Sequence, residues 1–564
     1  MHCPSVEPRR SLYFDYQVYP AFTAGVGAVL PRREVVVVVG AGPIGLTAAL
    51  ELARYGIPSV VLEAEQQVSE GSRAIVFTRR SLEILQQVGV ADRVTQAGLP
   101  WRFGNSFYRN QRVFRMVAPH DDNDRFAPMT NLQQPCLEHE LVQAAQANPL
   151  IELRWGNKVV DVHQADDHAR MEVDTPAGLY SLESAWVIAA DGARSGLRSL
   201  LGLKLEGAAY EGRFVIADIR IKLDLPTERL AFFDPPWNPG NTVLMHREPG
   251  DIWRIDYQLP ADETPEQALS PESLRERIDA QLALMGMQDR SWELDWSSVY
   301  SARALTLPEY VQGRVVFTGD AAHLLPIFGV RGANTGFQDV GGLCWKLALQ
   351  IKGLAGPALL PSYSQERVAA AREIIQEAGK STRFMTPPSS GQRLLRDAVL
   401  SLSLSQAFVR PLYHWRTSRP HDYCDSPLNC AEDDDQLFTQ GPRAGATLKN
   451  LRLGEDDYLF DHLGAAFHLL CFTDASELPE DVQAQVASAQ AQGIPLRVIA
   501  LGAQAAVKGA DLTLDDRSGL LRQLYGAPLG GAYLARPDQH VCARWMQLSG
   551  AGLAAALLRA LGNL

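Results

Sequence analysis

The chain has 564 residues, 46% hydrophobic and 21% charged, with a formal net charge of −12. That length exceeds what one core serves, so roughly two to four domains are expected. The acidic balance argues against nucleic acid or an anionic membrane as partner, and no apolar run is long enough to span a bilayer.

Residues 1–34 are an aromatic, Pro- and Arg-rich arm without periodicity. Asp15, Gln17 and Pro20 interrupt the mildly apolar segment behind Arg9 and Arg10, which argues against a signal peptide. Tyr13, Phe14, Tyr16 and Tyr19 are expected to cover core surface, with lining of a site as the alternative. The seven cysteines are scattered, without C-x-x-C or zinc spacing. No metal site is expected, and a reducing, cytoplasmic compartment fits.

Glu34–Ala64 organises the chain. Val35 to Val39 read as a buried strand. Gly40-Ala41-Gly42-Pro43-Ile44-Gly45 then supplies G-x-G-x-x-G, followed by an alanine-rich helix that Gly56 stops. Ser59–Leu62 is a second buried strand, ending on Glu63-Ala64. Gly40 permits the tight turn, Gly42 lets the backbone approach a pyrophosphate, and Gly45 allows close helix–strand packing. The helix start offers unpaired N–H groups to phosphates, and Glu63 stands where a carboxylate accepts ribose hydroxyls. A helix terminus contributes only about 0.3–1 kcal/mol, so other stretches must hold the rest of a dinucleotide.

Further on, Arg73 lies in a loop ahead of a helix begun by Thr78 or Arg79, with Leu82, Leu85 and Val88 on its apolar face. A phosphate or flavin contact and a surface ion pair are both open for Arg73. Another helix begins around Asn131–Glu138. Ile151–Trp155, Lys158–Val162 and Ala169–Val173 alternate as antiparallel strands do. Ser184–Ala190 is a buried strand that delivers Asp191-Gly192 to its C-terminal end, where open α/β sheets bind ligands.

From 205 to 310 the pattern is aromatic-rich strands with one helix, Ser270–Leu284. A mainly antiparallel sheet carrying Phe232, Phe233, Trp253 and Tyr257 suits a wall over an apolar ligand, or a sheet packed on its own helix. In Ile252–Tyr257, alternation sets Trp253, Ile255 and Tyr257 against Arg254 and Asp256. Residues 311–420 resume the buried-strand pattern with Arg314–Phe317, meeting Gly319-Asp320, His323, Pro326 and Phe328. Gly332-Ala333-Asn334 then precedes a long helix from about Phe337, and helices continue to about 415. Residues 421–439 are a linker. Over 440–564 the order strand, helix, strand, hairpin, helix resembles a thioredoxin fold without its dithiol, since Cys471 lies within a strand.

Three stretches together, Gly40–Gly45 with Glu63, Asp191-Gly192, and Gly319-Asp320 with Pro326 and Gly332–Asn334, resemble the FAD-dependent aromatic hydroxylases of the p-hydroxybenzoate hydroxylase type. The tail resembles that of their phenol hydroxylase and 3-(3-hydroxyphenyl)propionate hydroxylase branch. The resemblance implies an α/β fold: a Rossmann-like FAD domain (35–204 and 311–420), an inserted β substrate domain (205–310) and a thioredoxin-like end. It implies non-covalent FAD held by Gly40, Gly42, Pro43, Ile44, Gly45, Glu63, Ala64, Arg73, Gln134, Asp191, Gly192, Gly319, Asp320, Pro326 and the Gly332, Ala333 and Asn334 amides. Pro326 would face the isoalloxazine, and Pro326 and Arg73 are the residues placed nearest the chemistry. His323 would be structural. Arg331, where many relatives have Gln, would serve a flavin anion, an acidic substrate or a surface pair. Phe233, His246, Arg254, Tyr257 and Phe328 are the substrate-side candidates. The resemblance also implies that NAD(P)H docks transiently, which the lack of a second G-x-G-x-x-G unit fits, and that O₂ adds to reduced flavin as a C4a-hydroperoxide that hydroxylates a small aromatic. A homodimer is possible. A flavin oxidase, reductase or halogenase, or a non-catalytic flavin-binding assembly protein, are the alternatives.

Overall fold

The computed structural model describes residues 2–563 except 26, 31–32, 261, 327, 414–417, 431–432 and 517–518. The valine run forms the strand Glu34–Val39, with its last four residues buried. It pairs in parallel with Ser59–Leu62 on one side and Gly178–Ala189 on the other. Ile151–Arg154 and Val315–Phe317 extend the parallel arrangement outward. The alternation of Ile151–Trp155 suggests an antiparallel strand, and here the structure differs. The crossover helix Gln134–Gln146 returns the chain in the same direction, so the strand joins the parallel sheet. Gly178–Ala189 serves two neighbours: Leu179–Ser184 pairs antiparallel with Ala169–Asp174, and from Ser184 onward it pairs parallel with the valine strand.

The second sheet runs in the order His323–Leu324, Glu293–Thr306, Glu206–Arg220, Ile252–Gln258, Thr242–Glu248, Arg229–Phe233, Phe103–Tyr108, Gln111–Val117. Its pairs are antiparallel except Arg229–Phe233 with Phe103–Tyr108. Residues 103–117 carry no clear strand signal, because Gln111, Arg112 and Arg115 sit on an exposed or half-exposed edge. Ser270 caps the helix Pro271–Leu284, accepting from the Ser273 N–H at 3.2 Å, and this helix covers one sheet face.

The C-terminal unit has a five-stranded sheet in the order Leu512–Leu514, Leu496–Leu501, Phe467–Phe472, Ala532–Ala535, Val541–Trp545. The first three strands are parallel and the last two antiparallel. Cys471 is buried within its strand.

The arm crosses both larger sheets. Tyr19 stacks on Trp155 at 4.4 Å, and Gly71 N–H donates to Tyr16 Oη at 3.0 Å. The Asp295 carboxylate accepts from Arg9 Nη2 at 2.5 Å, Ser11 Oγ at 2.9 Å and the Leu12 N–H at 2.5 Å. Phe14, Tyr16 and Tyr19 therefore cover core surface, and Tyr16 does so against the Gly71 turn.

Candidate active site

Gly40 adopts φ +105°, and a Cβ there would stand 2.5 Å from the Ala190 carbonyl oxygen, so only glycine fits. A Cβ at Gly45 would collide with the Gly40 carbonyl, which is the close approach the spacing requires. Gly42 is the opposite case: nothing lies within 4 Å of where its Cβ would be. The helix Pro43–Arg54 begins beneath that open space with Pro43 at its first turn, no side-chain cap and no acidic residue. Its free N–H groups suit a phosphate. Ile44 packs instead against Gly319 of the third loop and Gly336 of the long helix.

Glu63 closes the second strand. Its Oε2 accepts from Ala41 N–H at 2.7 Å and its Oε1 from Glu65 N–H at 3.0 Å. Burial raises its pKa while those N–H groups oppose the shift. The remaining lone pairs of this half-buried carboxylate are placed for hydroxyl donors. The neighbouring Ala64 carbonyl is occupied, 2.7 Å from His2 Nε2.

Asp191 Oδ2 accepts from Leu197 N–H at 3.0 Å, while Oδ1 is buried with no hydrogen-bond partner among the described residues. Gly192, at φ +76°, has open space where a Cβ would be. Arg198 ties this loop to the next, donating to the carbonyls of Ala193 at 2.7 Å and Ala321 at 3.0 Å. On that next loop Asp320 lies deep in the protein yet is exposed to open space. Its depth raises its pKa, and nearby His323, Arg73 and Arg198 oppose the rise. Arg73 and Asp320 are therefore electrostatic neighbours despite some 250 positions of separation. An orphaned acceptor at Asp191, an open cradle at Gly42 and an exposed carboxylate at depth fit a dinucleotide stretched across the three loops.

The Arg73 loop is held from three sides. Gln134 Oε1 accepts from Ala74 N–H at 3.0 Å, and its Nε2 donates to Glu138 Oε1 at 2.8 Å. Its side chain is thereby committed to the protein, and Gln134 shapes the loop. Arg254 donates to the carbonyls of Ser72 and Arg73. Trp296 packs where a Cβ on Gly71 would go.

The long helix starts at Gly332, five residues before Phe337, so the glycine-rich stretch is its first turn. Thr335 N–H to Arg331 C=O, 2.9 Å, is the first internal bond, which leaves the Gly332, Ala333 and Asn334 amides ahead of it. The Asn334 side chain is committed: Nδ2 donates to Val76 and Val330 carbonyls, and Oδ1 accepts from Thr78 N–H and Ser81 Oγ. Only the backbone there remains for a ligand. Pro326 is buried. Arg331, 5% exposed, donates Nε to the Phe328 carbonyl at 3.2 Å and lines a cavity of about 440 Å³ with Met116, Pro119, Glu373, Glu377 and His421.

On the second sheet, alternation divides the faces as expected, and the covering helix takes the aromatic one. Trp253, Ile255 and Tyr257 pack with Leu274, Ile278 and Leu282 of the covering helix. Tyr257 meets Trp237 edge-on at 5.7 Å, and Arg277 stands 5.4 Å over its ring. The substrate placement of Tyr257 is therefore corrected: the helix claims that face, and an aromatic residue does not reveal which face a helix covers. Phe233 and Phe328 lie on the opposite face in one apolar cluster with Phe214, Leu244 and Met385. That face also carries a polar row missed beyond Arg254 and His246. Asp218, Arg254 and His246 are successive cross-strand partners, with Arg229 on the next strand. Arg254 binds Asp218 twice, at 2.7 and 2.8 Å. Burial, then Arg229 and Arg254, hold His246 well below its ordinary pKa, and burial lifts Asp256 to about 7. Charged residues alternating inside otherwise apolar strands were the available signal.

Fold and loops together define a dinucleotide-binding flavoprotein of mixed α/β architecture. The chain belongs to the family described as "FAD binding domain", whose profile matches residues 33–378, and FAD is its cofactor. It is 27% identical over 523 residues to a 3-(3-hydroxy-phenyl)propionate/3-hydroxycinnamic acid hydroxylase of Mycolicibacterium smegmatis, covering 90% of each chain. A hydroxylase of the same description from Burkholderia vietnamiensis is 31% identical over 375 residues, 66% of each chain. Among solved structures, the flavin-dependent monooxygenase PieE with FAD and substrate superposes with a TM-score of 0.80 at 24% identity, covering 95% of this chain and all of that one. Aklavinone-11 hydroxylase with FAD and aklavinone gives 0.75 at 24% identity, covering 94% and 100%. At that identity these two speak for the fold.

Proposed function

We propose that this protein is an FAD-dependent monooxygenase that uses NAD(P)H and O₂ to hydroxylate a phenolic or related aromatic compound. The observation that carries the reading is the convergence of three ligand-ready loops beside a sheet face with an apolar cluster and a buried polar row. Bound FAD supplies hydride acceptance and oxygen activation. The protein's own part is binding, orientation and exclusion of water. Gly40–Gly45 and Glu63 hold the ADP half, Asp191 and Asp320 the middle, and the Gly332–Asn334 amides stabilise negative charge on the ring. Arg73 stands over the same space, with Pro326 behind it. His246, Arg254, Phe233 and Phe328 form the substrate wall. NAD(P)H is a transient co-substrate.

The tail topology supports a thioredoxin-like unit without redox chemistry, appended to a Rossmann-like FAD unit with an inserted sheet. Among the described residues no helix is long and apolar enough to cross a membrane. A cytoplasmic homodimer is the assembly we favour, supported by exposed Leu394, Leu395 and Leu402 on the helix Ser390–Ser403.

The test is a panel of phenols and hydroxyaryl acids under ¹⁸O₂. One labelled oxygen in the product, with aromatic-stimulated NAD(P)H oxidation, is the expected result. NAD(P)H oxidation yielding only H₂O₂ with every compound overturns the hydroxylase in favour of an oxidase.

A further inference from the structure

Among the tail's contacts with the FAD unit is the hairpin Arg536-Pro537-Asp538-Gln539-His540, all buried. Arg536 donates to Asp538 at 2.6 and 3.0 Å and to Glu366 at 2.6 and 3.3 Å. Glu366 also accepts from Lys346 Nζ at 2.6 Å. Burial alone raises Glu366, yet Arg536 and Lys346 bring its pKa down to about 2, so the cluster is ionised inside the protein. Asp538 Oδ2 accepts from Trp345 Nε1 at 3.2 Å, on the long helix, and the Asp538 carbonyl accepts from Arg80 at 2.8 Å, on the helix Arg79–Gln87.

From this cluster a continuous series of contacts runs to the FAD loop. Arg536 stands 5.2 Å over the ring of Tyr423, whose hydroxyl accepts from Arg367 Nη1 at 2.9 Å. Arg367 Nε donates to Asp339 Oδ1 at 2.6 Å. Asp339 Oδ2 accepts from Gly319 N–H at 2.9 Å and lies 2.7 Å from His323 Nε2. Gly319, at φ +57°, is the turn that presents Asp320. Every charged member of this series is at most 4% exposed. Networks of this kind have few alternative arrangements, because any broken pair leaves a charge buried.

We propose that the Arg536–Asp538 hairpin is a positioning element for FAD, fixing the Gly319-Asp320 loop through Tyr423, Arg367 and Asp339, so that docking of the tail and binding of the cofactor are thermodynamically linked. This rests on the reading that Asp320 contacts FAD. Linkage is reciprocal: what the tail gives the cofactor, the cofactor returns to the tail.

The experiment uses the full-length apoprotein titrated with FAD, read by quenching of flavin fluorescence. Asp538→Asn and Asp339→Asn, each isosteric, should weaken FAD at least tenfold, and the double variant no more than the worse single. Wild-type affinity in folded Asp538→Asn, or effects that multiply, overturns the proposal. Hydrogen exchange on unmodified protein guards against misfolded variants. FAD should slow exchange at both the Gly319 loop and residues 535–541; protection confined to the loop overturns the linkage. Asp320→Ala separates the two readings. If that variant binds FAD like wild type, the Asp320 placement fails, whereas weakened binding with an unresponsive hairpin fails the linkage alone.

Discussion

Arg254 and Asp218 form a two-pronged ion pair across adjacent strands, 2.7 and 2.8 Å, in which neither side chain reaches solvent. The remaining guanidinium N–H groups hold the Ser72 and Arg73 carbonyls, so a pair internal to the second sheet fixes a loop of the first. Arg254→Met leaves Asp218 buried without its cation, a loss of roughly 3–5 kcal/mol in such settings. A marked fall in Tm is expected. Arg254→Met with Asp218→Leu should recover most of it while leaving FAD binding weakened, because the loop contacts stay lost. Calorimetry with flavin titration of the two variants checks this.

Asp320→Ala should lower the flavin-to-protein ratio after gel filtration, since it deletes an acceptor that stands exposed at depth beside Arg73. The wild-type protein should be yellow and release its flavin on acid precipitation. Flavin remaining in the pellet would establish covalent attachment, and an undiminished ratio in the variant would remove Asp320 from the site.

Tyr257→Phe should leave both turnover and the H₂O₂ released per NAD(P)H unchanged. The ring is enclosed by Trp237 and Arg277 on the helix-covered face, so it holds no substrate. His246→Leu, on the opposite face, should raise the H₂O₂ ratio at saturating substrate, because ring orientation depends on that wall. The reverse ranking of the two variants would return the aromatic face to the active site.

Glu138 is fully buried with no ion-pair partner among the described residues, accepting from Ser69 N–H, Ser69 Oγ and Gln134 Nε2. Burial raises its pKa from 4.5 to about 7 against those hydrogen bonds. The folded state thus holds the proton more tightly than the unfolded chain. This contribution is fully present below about pH 4.5 and is lost as pH rises through about 7, a swing of roughly 3 kcal/mol. Glu138→Gln should therefore gain stability relative to wild type between pH 4.5 and 7. Parallel Tm-against-pH curves for the two proteins would contradict this.

The phosphate loop was legible because its constraints are local: a Cβ at Gly40 or Gly45 collides with a carbonyl the same motif places there. Strand ends carrying Asp191 and Asp320 were legible for the same reason, since buried runs stop where polar residues begin. Residues 103–117 were not, because an edge strand with Gln111, Arg112 and Arg115 reads as loop until its partner is known. Alternation in Ile252–Gln258 yielded two faces but not which one the helix Pro271–Leu284 would take. Tyr423, inside what reads as a linker, gains its role from Arg367 and Arg536, each far away in sequence, so nothing near it signals burial.

The arm adds a temporal demand. Leu12 N–H reaches its acceptor on Asp295 across 283 positions, and Tyr19 waits for Trp155. During synthesis at about 5–20 residues per second, Leu12 emerges roughly 15–60 s before its carboxylate anchor. An aromatic-rich arm then waits for its partners, and the hydrogen bond from Gly71 N–H to Tyr16 Oη waits with it. Slow translation should lengthen that interval and the arm's exposure to chaperones.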